Sequence, residues 1–370
     1  MVKKTTRALQ SKDRIDERLL IAYLLTLVAG LVAVYSTSSM IAESRFDSHL
    51  FFLRQQFVWA LLSIAAIVLI VHINLVRFAA YSVPAYVIML GLLAAVFLAE
   101  PCNGSHRWLF LGPLTVQPSE FFKLVMVYFL AFSLSNRNRN MGDWRRLLLK
   151  YGPLLGIAFL LIILEPDLGT TIVILCTAVG VFFLAGAKIK HLLIAATPFA
   201  GAATFLVLVM GYKKTRVLDY IASLADPLQG SYQSIQAALT LGSGGLFGVG
   251  LGEGSQKLFF LPYPHTDFIF AAIGEEVGFL RLLILLLLLM YILLRGFKIA
   301  IGQPDKFGYL LAAGMALSLF VNIAVNLGVV TCLLPVTGLP LPFISYGGSS
   351  LLMSSIAVGV LLNLSRRVKS

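Results

Sequence analysis

Runs of about 20 consecutive apolar residues recur along nearly the whole chain, and they constrain its fold more than any other feature. A helix of that length spans the roughly 30 Å hydrocarbon core of a bilayer. It also satisfies its backbone hydrogen bonds internally, as lipid requires. The hydropathy predicts ten transmembrane helices with the approximate bounds 19–39, 52–72, 77–99, 118–135, 151–165, 169–187, 191–211, 267–295, 308–333 and 347–364.

The composition supports the same fold class. Of 370 residues, 59% are hydrophobic and 12% are charged, whereas soluble domains average roughly 45–50% and 25%. One water-soluble core could not bury so many apolar residues. Three widely spaced cysteines predict no disulfide framework. The chain is therefore predicted to be an all-α polytopic membrane protein, and soluble globular, disordered and disulfide-stapled classes are excluded.

The distribution of basic residues predicts the orientation. The net charge of +12 would suggest a nucleic-acid partner in a soluble chain, but in a membrane protein it is first a topology signal. Twenty of the 29 Lys and Arg lie in one alternating set of connections, which includes both chain ends. The positive-inside rule places that set in the cytoplasm. We predict no nucleic-acid partner, a cytoplasmic tail 1–18, a single transmembrane domain 19–365 and a cytoplasmic tail 366–370.

The opposite face would carry the irregular connections 100–117, 165–168, 212–266 and 334–346. The longest, 212–266, joins the seventh and eighth spans, and its glycine-rich part 242–254 is expected to be flexible, re-entrant or lid-like backbone. Irregular backbone at membrane depth is tolerated where it lines a cavity or is buried in protein. These connections therefore predict a polar cavity that faces outward.

Ionisable residues near the outward ends of the spans are costly, about 2.5–3.5 kcal/mol each on insertion scales, so each needs a reason. They are Arg107, Glu120, Lys123, Glu165, Asp167, Asp267, Glu275, Glu276 and Arg281. Glu120 and Lys123 share a helix face at i and i+3, as a structural ion pair or as a cation held ready for a diphosphate. Arg107 beside Trp108 could snorkel or bind phosphate.

Two acidic sites, the pair Glu165 and Asp167 and the single residue Asp267, also have more than one interpretation. Glu165 and Asp167 flank a proline at a tight turn, where they could hold a divalent cation or a supporting hydrogen-bond network, and Asp167 could instead cap the next helix. Asp267 follows His265 at the start of the eighth span, where it could cap that helix or accept a proton from a hydroxyl. From spacing alone, a transporter and a membrane-embedded transferase both fit.

Five short motifs occur in order: Gly104-x-x-Arg107-Trp108-Leu109, Gln117-Pro118-Ser119-Glu120-x-x-Lys123, Glu165-Pro166-Asp167-Leu168-Gly169-Thr170, His265-Thr266-Asp267-Phe268-Ile269-Phe270 and Pro340-Leu341-Pro342-Phe343-x-Ser345-Tyr346-Gly347-Gly348-Ser349. Together they resemble the SEDS family of bacteria (shape, elongation, division and sporulation) over about residues 19–365. The segments 239–252 and 337–344 resemble the division type more than the elongation type.

The resemblance implies a ten-span peptidoglycan glycosyltransferase in the bacterial cytoplasmic (inner) membrane. Such an enzyme polymerises lipid II into β-1,4 glycan strands on the outer face, here for septal wall synthesis in cell division. The partners implied are a class B penicillin-binding protein with transpeptidase activity, lipid II, undecaprenyl diphosphate and other divisome proteins. The alternatives are a lipid II flippase, an elongation-type polymerase and a scaffold that only recruits the transpeptidase.

The resemblance also implies residue roles. Asp267 is the catalytic candidate, a general base on the 4-hydroxyl of the acceptor sugar. Arg107, Glu120 and Lys123 are expected in the substrate cavity. The further candidates for substrate binding are Glu165, Asp167, Arg216, His265 and Ser345, with Lys213 and Lys214 as further cations that could steer the lipid. No cofactor or metal ligand is required by the sequence, although Mg or Mn could help to neutralise the diphosphate.

Two positions depart from the family pattern. Tyr263 stands where an acid is common, which lowers the negative charge near Asp267. Arg281 stands where a small residue is usual, and we expect it to disturb close packing of the eighth span.

Overall fold

The computed structural model describes residues 14–100, 106–112, 114–135, 144–165, 167–208, 211, 214–226, 229–254 and 261–368. The helices of these residues are α1 (Glu17–Phe46), α2 (Phe51–His72), α3 (Ser82–Ala95), α4 (Pro118–Ser135), α5 (Trp144–Leu164), α6 (Leu168–Leu184), α7 (Ile189–Leu208), α8 (Lys214–Ala225), α9 (Tyr232–Ser243), α10 (Ile269–Ile301), α11 (Lys306–Val330) and α12 (Gly348–Ser365). Short 3-10 helices flank α3 at Arg77–Tyr81 and Val96–Leu98. The predicted tails 1–18 and 366–370 lie partly outside the described residues.

Seven helices of the described chain are long and apolar enough to cross a membrane: α1, α2, α3 with its flanking 3-10 turns, α4, α10, α11 and α12. Shorter apolar segments lie in α5, α6 and α7. The predicted class, a helical multi-pass membrane protein, is confirmed. The count of ten spans and the side of each terminus stay predictions.

The connection 212–266 contains two further helices, α8 and α9. Ser231 caps α9, since its Oγ accepts a hydrogen bond from the backbone N–H of Ser234 at 3.3 Å. The connection 100–117 holds a two-stranded antiparallel hairpin, β1 (Leu109–Leu111) and β2 (Leu114–Val116), in which Phe110 pairs with Thr115.

Close helix packing builds the centre of the bundle. Helix α11 contacts α10, α4, α6 and α12, and α12 lies along α2. Small residues allow these approaches: a Cβ at Gly314 of α11 would lie 2.6 Å from Val127 of α4, and a Cβ at Gly348 of α12 would lie 2.1 Å from the Trp59 indole of α2. The first turn of α12 therefore packs closely against the third turn of α2.

Helix α10 is kinked at Gly278, which has φ 76° and ψ 171°. The glycine-rich run that follows α9 pairs with this kink through its backbone. The bonds run from Val249 N to Glu275 O (3.0 Å), Gly250 N to Glu276 O (3.0 Å), Phe279 N to Gly245 O (2.9 Å) and Leu280 N to Leu246 O (3.2 Å). A Cβ at Gly248 would lie 2.2 Å from Glu276 O, so only glycine allows this approach. The run expected to be flexible, re-entrant or lid-like is therefore docked on α10.

Arg281 does not disturb this packing, contrary to expectation. The residue is exposed, and its Nη1 donates a hydrogen bond to the carbonyl of Phe247 at 3.2 Å. The long side chain therefore adds a contact between α10 and the glycine-rich run. Nearby, the buried Glu276 accepts a hydrogen bond from Ser36 of α1.

Candidate active site

A cavity of about 510 Å³ lies at one end of the helix bundle. Its lining comes from the second and third turns of α2, the N-terminal ends of α4, α6 and α12, the segments before α4 and α10, and the connection between α11 and α12: Gln55, Val58, Trp59, Arg107, Trp108, Thr115, Gln117, Glu120, Asp167, Thr170, Thr266, Asp267, Gly338, Leu339, Pro340, Tyr346, Gly347, Gly348 and Ser350. Four of the candidate residues meet here: Arg107, Glu120, Asp167 and Asp267. They come from four separate parts of the chain.

Asp267 does not cap α10. Phe268 occupies the N-cap position, and no side-chain cap is found there among the described residues. The Asp267 carboxylate faces the cavity and accepts no hydrogen bond from any residue that the structure describes. Burial raises the pKa of Asp267 to about 6, with Arg216 lowering it, Asp167 raising it and Arg107 lowering it. The group is therefore an accessible base that is ionised at neutral pH.

The backbone around Asp267 is held by hydrogen bonds to three successive carbonyls. The His265 carbonyl accepts from Tyr346 N at 2.9 Å, the Thr266 carbonyl from Ser345 Oγ at 2.6 Å and the Asp267 carbonyl from Asn326 Nδ2 at 2.9 Å. These donors belong to the connection between α11 and α12 and to α11 itself. Three successive carbonyls that are each hydrogen-bonded hold this segment in one conformation.

Ser345 and His265 lie behind the wall of the cavity rather than in its lining. The Ser345 hydroxyl donates to Thr266 and accepts from Leu341 N at 2.8 Å, so it braces the loop. The His265 ring packs against Phe52, with 4.7 Å between ring centroids. Burial, with a smaller contribution from Arg45, lowers the pKa of His265 to about 4, so this ring is neutral at neutral pH. Contact of either side chain with substrate stays a prediction.

Asp167 caps α6, as one of the two interpretations of the sequence predicted. Its Oδ1 accepts from Thr170 N at 3.0 Å. Its Oδ2 accepts from Thr170 Oγ1 at 2.8 Å and from Gln117 Nε2 at 3.0 Å. Asp167 also lines the cavity. With three hydrogen bonds on it, this carboxylate is held in place and its oxygens are already used, in contrast to Asp267.

Glu165 supports Arg107 through its backbone. Arg107 Nε donates to the Glu165 carbonyl at 2.8 Å. The Glu165 carboxyl is fully buried and has no hydrogen-bond partner among the residues that the structure describes. Burial raises the pKa of Glu165 to about 8, helped by Asp167 and opposed by Arg107, so the carboxyl is neutral at neutral pH. Its predicted role in substrate binding has no cavity-facing atom in support.

The remaining cations differ in their access to the cavity. Lys123 Nζ lies 2.8 Å from Glu120 Oε1, and both residues are buried, at 3% and 2% exposure. Glu120 lines the cavity, whereas Lys123 stands behind it. Arg216 of α8 donates to the Val336 carbonyl at 3.3 Å and is close enough to lower the pKa of Asp267. Lys213 lies outside the described residues.

Sequence reasoning missed the neutral amides of the site. Gln56 of α2 is 1% exposed; its Nε2 donates to the Ser345 carbonyl at 3.1 Å and its Oε1 accepts from Gly347 N at 3.3 Å. Gln55 and Gln117 line the cavity. A side-chain amide inside or beside an apolar run was the available signal, since a buried polar group needs a partner.

A sequence profile of the FtsW, RodA and SpoVE family, described as cell cycle protein, matches residues 17–370. The chain belongs to this family. It is 42% identical over 361 residues to stage V sporulation protein E of Bacillus subtilis (strain 168), covering 95% of this chain and 97% of that protein. It is 36% identical over 367 residues to the probable peptidoglycan glycosyltransferase FtsW of Geobacter metallireducens, covering 98% of this chain and 97% of that protein.

Solved structures of family members share the fold. One belongs to a peptidoglycan synthase complex that coordinates polymerization and crosslinking, with a TM-score of 0.78 at 30% identity, covering 95% of this chain and 98% of that chain. The rod shape determining protein RodA of Thermus thermophilus gives a TM-score of 0.71 at 29% identity, covering 96% and 98%. The family resemblance drawn from five motifs is thus confirmed. The division role stays a prediction, because the family includes elongation and sporulation members.

Proposed function

We propose that the cavity around Asp267 is where this chain, a peptidoglycan glycosyltransferase by its family and its named relatives, joins lipid II into β-1,4 glycan strands. The observation that carries the proposal is the position and hydrogen bonding of the Asp267 carboxylate. It faces the cavity and is not used as a helix cap, while its own backbone is held at three carbonyls. A base that is fixed in position but left unbonded suits proton transfer.

In the proposed reaction, Asp267 takes the proton from the 4-hydroxyl of the acceptor sugar. The acceptor oxygen then forms a bond to C1 of the donor sugar as the bond from C1 to the undecaprenyl diphosphate oxygen breaks. One displacement converts the α-linked donor into a β-1,4 linkage, and Asp267 returns its proton to solvent. A pKa of about 6 leaves Asp267 ionised at neutral pH and more basic than an ordinary aspartate.

Arg107 is the cation that we assign to the departing diphosphate, because it lines the cavity and its planar guanidinium suits phosphate oxygens. Lys123 is neutralised by Glu120 and stands behind the wall. We therefore assign this pair to shaping the cavity. Arg216 adds positive charge near Asp267 and would help to hold the anionic headgroup.

The described residues of the cavity offer few side chains that could bind a divalent cation. The described part of the chain holds no group of three or more His, Cys, Asp or Glu side chains that could bind a metal. In the cavity, Asp167 is already occupied by Gln117 and Thr170, which leaves Asp267 as the carboxylate without a donor from the described chain. Mg or Mn would therefore depend on phosphate oxygens of the substrate for most of its ligands.

For the membrane arrangement, we propose that α1–α7 and α10–α12 all cross the bilayer, with both termini in the cytoplasm. The positions of the lining residues support this. Each lies at a helix end or connection that the distribution of Lys and Arg assigns to the outer face. The substrate would be met on the outer face of the cytoplasmic membrane.

The class B penicillin-binding protein is the proposed partner, because a structural neighbour is a complex that coordinates polymerization and crosslinking. The division role rests on the resemblance of segments 239–252 and 337–344 to the division type, and other divisome proteins would follow from it. An elongation role is the alternative, since RodA shares the fold.

The test uses the full chain purified with its class B penicillin-binding protein and given lipid II in detergent. We expect glycan polymer from the wild type and none from Asp267→Asn. Asp219→Asn on α8, outside the cavity lining, is the matched control and should keep full activity. If the folded wild-type pair moved lipid II across vesicles but made no polymer, the chain would be a flippase. Partner binding with neither activity would make it a scaffold.

A further inference from the structure

Asn326 is a buried polar residue that does not line the cavity. It lies in α11, between Val325 and Leu327, and is 1% exposed. An amide in such a place needs hydrogen-bond partners to offset its burial.

The Asn326 side chain joins two segments of the site. Its Nδ2 donates to the Asp267 carbonyl at 2.9 Å and to the Leu339 carbonyl at 2.7 Å. An amide nitrogen carries two hydrogens, and these two bonds use both. One side chain thus ties the segment that bears the carboxylate to the segment that forms the facing wall, since Leu339 lines the cavity.

The facing segment lies close to the carboxylate itself. A Cβ at Gly338 would lie 3.6 Å from Asp267 Oδ2, so the backbone next to Leu339 stands directly beside the reacting group. Gly338 has φ +82°, a conformation that favours glycine and keeps the carboxylate side open. The separation of the two backbones therefore sets the space in which the carboxylate can turn.

The other two bonds to this region come from within the connection between α11 and α12, namely from Ser345 and Tyr346. The Asn326 bonds instead start from a buried helix of the bundle. They relate the position of Asp267 to the rigid core rather than to a neighbouring loop.

We infer that Asn326 is a positioning residue for Asp267: by holding the Asp267 and Leu339 carbonyls together, it keeps the carboxylate at the depth where it meets the acceptor hydroxyl. The inference rests on the proposed role of Asp267 as general base. Asn326 does not line the cavity, so in this role it acts through the backbone of Asp267 and Leu339.

The chain offers a matched control. Asn322 lies one turn earlier on α11, is 5% exposed, and makes no side-chain hydrogen bond to the segments around Asp267 or Leu339 among the described residues. Asn326→Leu and Asn322→Leu therefore make the same change of chemistry at two buried positions of one helix. A general effect of a lost amide would show in both variants.

The experiment measures kcat and KM for polymerisation of lipid II by the full chain with its penicillin-binding protein partner, per folded molecule. Misplacing a catalytic group by about 1 Å costs on the order of 100-fold. We expect Asn326→Leu to lower kcat about 10- to 100-fold with KM changed less than about 2-fold. Asn322→Leu should leave both within about 2-fold.

Asn326→Ser is the second variant, for use if leucine at this position prevents folding. The serine side chain is shorter and has one donor hydrogen, so it cannot hold both carbonyls as the amide does. It also disturbs the surrounding packing less than leucine. A fall in kcat in folded Asn326→Ser supports the inference, and an unchanged kcat overturns it. Equal losses in Asn326→Leu and Asn322→Leu, or a rise in KM alone, also overturn it. Polymerisation that survives in Asp267→Asn would instead contradict the proposed function.

Discussion

The Nε atom of Arg107 donates a hydrogen bond to the backbone carbonyl of Glu165 at 2.8 Å, so the turn between α5 and α6 fixes the position of a cation at the cavity wall. A guanidinium has five N–H donors, and this bond uses the one on Nε. The same turn places Asp167 on the cavity. The proposed phosphate contact of Arg107 and the cap of α6 therefore depend on one short stretch of chain.

Replacing Arg107 by lysine should lower kcat/KM for lipid II by about 10-fold or more. The charge is kept, but an ammonium on a flexible stem cannot bond the Glu165 carbonyl and also present a planar pair of donors to a diphosphate. Steady-state polymerisation assays measure the effect. Arg54→Lys, at an exposed position on α2, is the control and should match the wild type. Equal rates for Arg107→Lys and the wild type would contradict the assignment.

The polymerisation rate should fall as the pH drops through about 6, because Asp267 must be ionised to accept a proton and its pKa is raised to about 6. Arg216 lowers that pKa, so Arg216→Gln should raise it and move the acid limb of the pH profile to higher pH. Arg54→Gln should leave the limb in place. An acid limb that stays fixed, or moves to lower pH, in Arg216→Gln would count against this electrostatic link.

The free energy of unfolding should depend on Glu165. Its pKa is about 8 in the folded protein and 4.5 ordinarily. Stability linked to this group is therefore complete below about pH 4.5 and is lost as the pH rises through 8. Glu165→Gln should remove that part of the pH dependence while keeping activity at neutral pH, where the carboxyl is already uncharged. Thermal unfolding in detergent across this pH range measures it, and an unchanged slope would show that Glu165 is ionised.

Lys123→Met should destabilise the protein by about 3–5 kcal/mol, because it leaves the buried Glu120 carboxylate unpaired. Adding Glu120→Gln should recover much of this loss, since no buried charge then remains. Unfolding of the two single variants and the double variant gives the coupling energy. If the double variant regains stability but not polymerisation, the pair also acts on substrate; if it regains both, the pair is structural.

Two glycines with left-handed backbone provide a matched test of the docked run. Gly248→Ala places a Cβ 2.2 Å from the Glu276 carbonyl, whereas Gly252→Ala meets nothing within 4 Å among the described residues. Both pay the left-handed penalty of about 1–2 kcal/mol. Gly248→Ala alone should also detach the run from the kink of α10, which limited proteolysis would report as faster cleavage near residue 250. Equal cleavage of both variants would mean that the run is not held by this contact.

Local hydropathy was sufficient to predict most of the helices. The predicted spans 52–72 and 118–135 differ by at most one residue from α2 (Phe51–His72) and α4 (Pro118–Ser135). The cost of placing charge near lipid likewise directed attention to Arg107, Asp167 and Asp267, which the structure brings to one cavity. Both inferences depend on the transfer energy of single residues, which a sequence contains directly.

The roles of the buried neutral amides were not predicted from the sequence, because they depend on partners distant in the chain. Gln56 and Asn326 lower the mean hydropathy of the apolar runs around them only slightly, so each run is still predicted as an ordinary span. Their partners are far along the chain: Gln56 bonds the carbonyl of Ser345, 289 residues away, and Asn326 bonds the carbonyl of Asp267, 59 residues away. Nothing local to either amide indicates such a partner.

Asp167 and Asp267 look alike in the sequence, but the tertiary structure gives them different environments. By sequence, each is an aspartate at the start of an apolar helix, and each could be a cap or a functional carboxylate. In the structure, Asp167 caps α6 and accepts a bond from Gln117, whereas the backbone of Asp267 is held by Asn326 and its carboxylate is left to the cavity. The sequence alone determined the fold class, the family and the candidate charges. Only the tertiary structure decided which carboxylate caps a helix and which one faces the cavity without a hydrogen bond from the described residues, because donors distant in the sequence set the backbone conformation that allows or prevents capping.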